Sequence, residues 1–333
     1  MKKIIFTLLL ASSLIITGQE KEEKGTFTLS GTVDLYGTSN FVDGSGTPGI
    51  LIANPQNANG FGLGFANTVF AYEKGKAGVV ADIAFGPRAN DANLAGAINQ
   101  LYAYYKVSDK VTITAGQFNT FLGYEVINPS ANFNYTVSYL FNAGPFSQTG
   151  IKFDYAASED LSFMLAYVNA HSISSADGNV SGDMQLGGQI GYKGQYLNLM
   201  YGNDGPVGFN KSDAFYIDYT GGFDVSDSFY LGINGAYATS SDADASYKGV
   251  ALYLQNTFSE TFSLGFRPEY FQTTAGSANA SVTAFTLTAN TSLTDNLKLI
   301  TDLRLDSSDD GIIEAFPAEK TVTALTIAAV YSF

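Results

Sequence analysis

Short segments in which apolar and polar residues alternate recur from residue 27 to the end of the chain, and they constrain the fold most. Between Phe27 and Tyr36 the odd positions are apolar or glycine, and the even positions carry polar groups. Residues 151–155 and 297–306 follow nearly the same pattern. Since successive side chains on a strand point to opposite faces, each segment has one apolar and one polar face. Beyond residue 25 no apolar stretch approaches the ~18 residues of a membrane-spanning helix.

About sixteen such segments of roughly 8–13 residues can be counted, which predicts an all-β chain. The predicted strands lie near residues 27–36, 62–73, 76–86, 98–106, 110–119, 147–156, 161–169, 184–193, 195–202, 212–221, 227–238, 247–258, 261–271, 281–292, 297–306 and 321–333.

The connections between these segments alternate between short and long. Lys74 and Gly75 join two strands, as do Ser108 and Asp109, whereas the intervening connectors are long. A soluble sandwich has no reason to gather its long loops at one end, but a bacterial outer-membrane barrel has short periplasmic turns and long extracellular loops. We therefore predict a transmembrane antiparallel up-and-down β-barrel of about sixteen strands. The predicted long connectors are residues 37–61, 87–97, 120–146, 170–183, 203–211, 239–246, 272–280 and 307–320.

Composition excludes several classes of function. The chain has no cysteine, no tryptophan, one histidine and a formal net charge of −14. A nucleic-acid partner is not expected, because binding requires a basic surface. Disulfides, cysteine-ligated zinc and multi-histidine metal sites are excluded, whereas carboxylate-only cation sites stay open. The acidic loops do not fit the EF-hand pattern, and we expect no cofactor and no metal site.

Both ends of the chain carry targeting features. Residues 1–18, with Lys2 and Lys3 before an apolar run, predict a secretory signal peptide. Residues 19–26 are interpreted as a periplasmic lead and residues 27–333 as the barrel. The last strand ends on an aromatic residue, as outer-membrane barrels typically do. We therefore expect the barrel-assembly machinery to bind the strand that ends at Phe333.

The polar face of the strands contains charged residues that a lipid-facing position would not accept at low cost. Arg267 and Arg304 opposite Asp302 and other acids could set a transverse field that orients solutes, or could simply pair with them and stabilise a polar wall. The candidate pore-lining residues are Asp82, Lys152, Asp154, Asp218, Arg267, Glu269, Asp302 and Arg304.

The longest connector, residues 120–146, is too aromatic for a freely solvated loop. Its rings must be buried, either by folding into the barrel mouth or by packing on neighbouring loops outside the pore. We favour the first arrangement, in which this segment follows the fifth strand and constricts the lumen. The candidate constriction residues are Tyr124, Glu125, Asn128, Asn132 and Tyr135.

The same region resembles a known family. Residues 116–125 read GQFNTFLGYE, residues 132–135 read NFNY and residues 138–146 read SYLFNAGPF, followed by Thr149 and Gly150. This run is similar to the OmpL-like β-barrel porins found in Bacteroidota, with the close match covering residues 110–156. In that pattern a histidine often precedes the Thr-Gly pair, where this chain has Gln148. The resemblance implies a passive outer-membrane pore and brings no catalytic residues.

The sequence thus predicts a porin-like channel in the cell outer membrane, in contact with its lipids, through which small hydrophilic solutes diffuse. The first alternative is a plugged structural or adhesive barrel. The second is an outer-membrane hydrolase that uses His171 beside Ser172 and Asp177, but no nucleophile motif accompanies this histidine. We therefore expect no enzymatic activity.

Overall fold

The computed structural model describes residues 24–41, 59–92, 96–170, 183–203, 213–240, 244–308 and 321–333, with the side chain of residue 91 excluded. The predicted signal peptide lies outside these ranges. The predicted boundaries between the signal peptide, the periplasmic lead and the barrel, at residues 18 and 26, stay predictions.

Sixteen antiparallel strands form one closed barrel, which confirms the predicted fold class. Each strand pairs with its neighbours in sequence, and the first pairs with the last. The strands are β1 (Thr26–Asn40), β2 (Gly60–Lys74), β3 (Ala77–Phe85), β4 (Ile98–Ser108), β5 (Val111–Asn119), β6 (Ser147–Ala156), β7 (Leu161–Asn169), β8 (Met184–Tyr192), β9 (Gln195–Asn203), β10 (Asp213–Asp224), β11 (Phe229–Ser240), β12 (Ala245–Ser259), β13 (Phe262–Ala275), β14 (Ala278–Ser292), β15 (Leu297–Ser307) and β16 (Thr321–Ser332).

The seam between β1 and β16 closes the sheet. The backbone N–H of Gly31 donates to the carbonyl oxygen of Phe333, and the N–H of Phe333 donates to that of Gly31, each at 3.0 Å. Nine further residue pairs, from Thr32 with Ser332 to Asn40 with Ala324, continue this ladder. Because the barrel closes here, neither the first nor the last strand leaves a free sheet edge along this stretch.

Two predicted connectors differ from the structure. Residues 272–280 were predicted to be a long extracellular connector, but β13 and β14 extend through them to a two-residue turn at Gly276 and Ser277. Gly276 has a φ of +58°, the left-handed conformation that such a tight turn requires and glycine adopts freely. The second difference is α1 (Pro87–Ala92), a short helix within the predicted connector 87–97. Its residues Ala89 and Ala92 are buried.

The outward face of the barrel is apolar and the inward face is polar, as the alternation predicts. Along β15, Leu303 and Leu305 are exposed on the outside, whereas Asp302 and Arg304 are buried inside. On β6, Phe153 and Tyr155 point outward in the same manner. Apolar groups that would be unfavourable in water are thus arranged to contact hydrocarbon.

Within the described ranges, no helix combines the length and the apolar character needed to cross a membrane.

An arginine on the outward face tests this assignment. Leu303 lies midway along β15 and is 44% exposed, whereas Leu297 lies at the end of the same strand beside a short turn. We expect Leu303→Arg to lower the free energy of unfolding by about 2–4 kcal/mol and Leu297→Arg by about 0–1 kcal/mol, because the cost of a charge depends on its depth in the bilayer. Urea unfolding in phospholipid vesicles, followed by circular dichroism, measures both. Equal costs at the two positions would contradict the lipid-facing assignment.

Candidate functional site

Residues 120–146, hereafter the inner loop, lie inside the barrel. The backbone N–H of Thr120 donates to the carbonyl oxygen of Phe146 at 3.0 Å, which joins the two ends of the loop at the wall. Between them the loop contains a 3₁₀ turn (Pro129–Ala131) and the short helix α2 (Tyr139–Asn142). Its central residues Tyr135 and Ser138 are almost fully buried. Of the two arrangements considered from the sequence, the structure has the inward one.

Apolar contacts hold the inner loop in the lumen. Ile127, Val137 and Phe141 pack with Phe65 and with α1 in one buried cluster. Three other clusters join the loop to the wall, through Leu122, through Leu140 and through Tyr135. Because these side chains lose their contact with water only when the loop folds inward, its aromatic composition favours this position.

The strongest polar anchor is a buried ion pair between the loop and β13. The Arg267 Nη1 atom lies 2.5 Å from Glu125 Oε1, and the two side chains are only 1% and 3% exposed. Glu125 Oε2 accepts hydrogen bonds from the backbone N–H and the hydroxyl of Ser138, at 2.7 and 2.6 Å. Arg267 also donates to the carbonyl oxygen of Thr136 at 2.6 Å. This pair thus joins both arms of the loop to one strand.

Strand β15 supplies a second set of anchors. Asp302 Oδ2 accepts from the backbone N–H and the hydroxyl of Thr136, both at 2.8 Å. Arg304 donates to the carbonyl oxygen of Val137 at 2.7 Å and pairs with Asp306, with 2.8 Å between Nε and Oδ1. On β13, Glu269 accepts from the backbone N–H of Leu140 at 2.8 Å.

Across the seam between β1 and β16, β1 and α1 also hold the loop. The Tyr135 hydroxyl donates to Asp34 Oδ1 at 2.8 Å, and Arg88 of α1 donates to the Tyr135 carbonyl oxygen at 2.8 Å. Burial raises the pKa of Tyr135 well above its ordinary value, so the phenol stays protonated and remains a donor. Further along the wall, the Gly123 N–H donates to Asp218 Oδ1 at 3.0 Å.

The predicted pore-lining residues all point inward, but six of the eight are covered. These six are between 0% and 4% exposed, and they bind the inner loop or their neighbours on the wall instead of facing an open lumen. Only Lys152 and Asp154 remain partly exposed, paired at 3.1 Å. The contacts of the covered residues are ion pairs and hydrogen bonds, several of which anchor the loop, and the orientation of solutes by these charges stays a prediction. The covered residues are Asp82, Asp218, Arg267, Glu269, Asp302 and Arg304.

Several predicted constriction residues shape the loop itself. Asn128 accepts from the backbone N–H of Ser130 at 3.0 Å, which begins the 3₁₀ turn, and donates to Thr32 of β1 at 3.1 Å. Asn132 bonds both backbone groups of Val126, at 2.9 and 2.6 Å.

Tyr124 projects from the loop toward the wall. Its ring stacks on Tyr253 of β12 with 4.1 Å between centroids, and its hydroxyl lies 3.2 Å from that of Tyr230. Burial and the hydrogen bond to Tyr230 raise the pKa of Tyr124, which keeps this phenol neutral.

Two cavities lie between the inner loop and the periplasmic end of the barrel. Their volumes are about 470 and 450 Å³, and Tyr124, Glu125 and Tyr230 line both. Tyr230 lies next to a short turn, which places both cavities at this end of the lumen. The first, which we call the Lys298 cavity, also contacts Lys298. The second, which we call the Gln189 cavity, also contacts Gln189.

Sequence reasoning missed Arg88 and Lys298. Arg88 is the only cation in residues 86–97, and this could have marked it as a candidate. Its contact with the inner loop could not be predicted, because it depends on helix α1 lying inside the barrel. Lys298 belongs to the alternation of residues 297–306 and could have been assigned to the lumen by its position.

His171 and the neighbouring serines lie outside the described residues. Across the residues that the structure describes, no three histidine, aspartate or glutamate side chains come together as metal ligands would.

Removing the Glu125 carboxylate should detach the inner loop. Glu125→Ala leaves the Arg267 guanidinium buried without its charge partner, which costs about 3–5 kcal/mol for a pair of this kind. We expect new cleavage at the aromatic residues of the loop when the refolded protein is treated with chymotrypsin and its fragments are weighed by mass spectrometry.

The control is Asp160→Ala. Asp160 pairs with Lys193 at 3.7 Å on the surface, where both side chains are more than half exposed. Such a pair contributes little, so this variant should resist the protease as the parent does. If Glu125→Ala were equally resistant, the ion pair would not be what holds the loop.

Comparison with solved structures places this fold among outer-membrane channels. The chain is 12% identical to the outer membrane channel DcaP of Acinetobacter baumannii, with a TM-score of 0.63 and coverage of 95% of this chain and 99% of that one. It is 11% identical to the anion-selective porin from Comamonas acidovorans, with a TM-score of 0.64 and coverage of 93% and 100%. It is 12% identical to OprB of Pseudomonas putida, with a TM-score of 0.58 and coverage of 93% of this chain and 94% of that one. At these identities the likeness concerns the fold alone.

No curated protein is significantly similar to this chain in sequence. The family profile described as "Putative beta-barrel porin-2, OmpL-like" matches residues 26–333, nearly the whole chain and the whole barrel. The resemblance seen in residues 110–156 is thereby confirmed and extended to every strand. With a closed barrel, an apolar outer face and this match, the chain is a porin-like protein of the outer membrane and belongs to the OmpL-like β-barrel porin family.

Proposed function

We propose that the protein is a channel through which small hydrophilic solutes cross the outer membrane by passive diffusion. The observation that carries this proposal is the inner loop, which is anchored across the lumen by wall residues and has polar cavities beneath it. A barrel of sixteen strands is wide enough to enclose an aqueous channel around such a loop. The loop would then narrow the passage and set the size limit for solutes.

The proposed solutes are small and polar because of the groups that remain available around the loop. Gln255 lines the Lys298 cavity, and Tyr230 lines both cavities. No step of bond making or breaking is part of this function, and we propose no enzymatic role.

A plugged barrel is the second candidate, and the packing of the inner loop favours it. The loop buries apolar side chains such as Leu122, Val137 and Leu140 against the wall of the lumen. A loop held in this way could close the passage and leave a barrel with a structural or adhesive role.

Conductance separates the two candidates. Full-length protein refolded into planar bilayers should give discrete conductance steps if the channel is open. In liposome-swelling assays with arabinose, glucose, sucrose and raffinose, the rate should fall as the sugar becomes larger. A parent protein that is silent beside a conducting Glu125→Ala variant would indicate a plug. Silence of both variants in both assays would refute the channel.

Two partners follow from the same proposal. Outward residues such as Leu303 and Phe153 would contact outer-membrane lipids, which their exposure supports. The barrel-assembly machinery would bind the last strand before β1 and β16 pair, since Phe333 is half exposed and completes that seam.

A further inference from the structure

The Lys298 cavity combines one cation with several neutral polar groups. Lys298 enters from β15, and Gln255 enters from β12. Asn132 and Asn134 enter from the inner loop. The aromatic rings of Phe133 and Tyr230 also line the cavity, as does Glu125. Its volume of about 470 Å³ lies within the range of about 300–1,000 Å³ that is typical of small-molecule sites.

Lys298 differs from the other inward-facing cations of the described residues. Each of the others has partners on the protein: Lys106 pairs with Glu73, Lys152 with Asp154, Arg267 with Glu125 and Arg304 with Asp306, and Arg88 donates to loop carbonyls. Within the same ranges no ion pair includes Lys298, although its side chain is partly buried.

The carboxylate that also lines this cavity does not neutralise Lys298. Glu125 is paired with Arg267 at 2.5 Å, and its second oxygen accepts two hydrogen bonds from Ser138. A partly buried ammonium without a counter-charge is costly, and an anionic ligand is the partner that would remove this cost.

We propose that the Lys298 cavity binds a small organic anion that carries hydroxyl groups, with its carboxylate or phosphate paired to the Lys298 Nζ atom. The Gln255 amide and the Asn134 side-chain carbonyl oxygen are suited to hydrogen-bond the hydroxyl groups, whereas the Asn134 N–H group already donates to Thr288 at 2.6 Å. The rings of Phe133 and Tyr230 are suited to contact the apolar face of a sugar ring. A sugar acid or a sugar phosphate has all of these features.

This inference deepens the proposed function by naming a class of solute. The role of the site in transport rests on the proposed function, whereas binding of the anion does not. The cavity faces the periplasmic end of the lumen, so a solute held there would have passed the inner loop or would be about to enter it. Binding itself can be measured without conduction.

The test is isothermal titration of the refolded full-length protein in detergent with three ligands that share one ring. Glucuronate carries a carboxylate, glucose 6-phosphate carries a phosphate, and glucose is neutral. We expect at least one of the two anions to bind about tenfold or more tightly than glucose, since a charge-assisted hydrogen bond is worth this much. The preferred anion distinguishes a carboxylate from a phosphate as the natural group.

Lys298→Met should abolish the preference for the anion, and Lys298→Arg should retain most of it. The matched control is Lys106→Met, because Lys106 is also an inward lysine at the periplasmic end but pairs with Glu73 at 2.7 Å. Folding of each variant is checked by circular dichroism. Equal affinity for glucose and both anions, no binding at all, or equal losses in Lys298→Met and Lys106→Met would each overturn the proposal. Failure of the conductance assay alone would leave the binding result intact.

Discussion

Backbone hydrogen bonding in the absence of water is the constraint on which this structure depends. In the hydrocarbon core each unpaired N–H or C=O group costs several kcal/mol, and a sheet can pair all of them only by closing. The pair of bonds between Gly31 and Phe333, with the ladder beyond it, satisfies this condition at the one place where strands distant in sequence must meet. Closure in turn creates a lumen, where charged residues midway along the strands, such as Asp302 and Arg304, lie away from the hydrocarbon.

Charged side chains are therefore buried in the lumen, and contacts with the inner loop lower the free-energy cost of burying them. Arg267, Asp302 and Arg304 would each be expensive to bury alone. Contact with the loop supplies backbone carbonyls, backbone N–H groups and the Glu125 carboxylate as partners. The wall residues thus hold the loop in place, and the loop supplies the hydrogen-bond and charge partners that the buried wall residues need. Such mutual dependence explains why charges and aromatic rings are buried together inside a membrane protein.

Much of the fold could be predicted because its signals are local. Each strand shows its two faces within about ten residues, and Lys74 with Gly75 marks a turn without reference to the rest of the chain. The aromatic content of residues 120–146 indicated burial for the same reason. Local signals failed where pairing extended a strand. Gly276 and Ser277 are a local signal for a two-residue turn, but the polar residues around them do not reveal that Thr273 pairs with Ala280.

The functional assignment of single residues depended on contacts that join distant parts of the chain. The sequence by itself determined the number of strands, their apolar outer faces and the inward direction of Asp302 and Arg304, because all of these follow from a period of two residues. Only the tertiary structure decided that the inner loop covers these charges and that no ion pair among the described residues includes Lys298. Glu125 and Arg267 are 142 positions apart, and such a pair forms only because closure of the barrel brings the loop and β13 together.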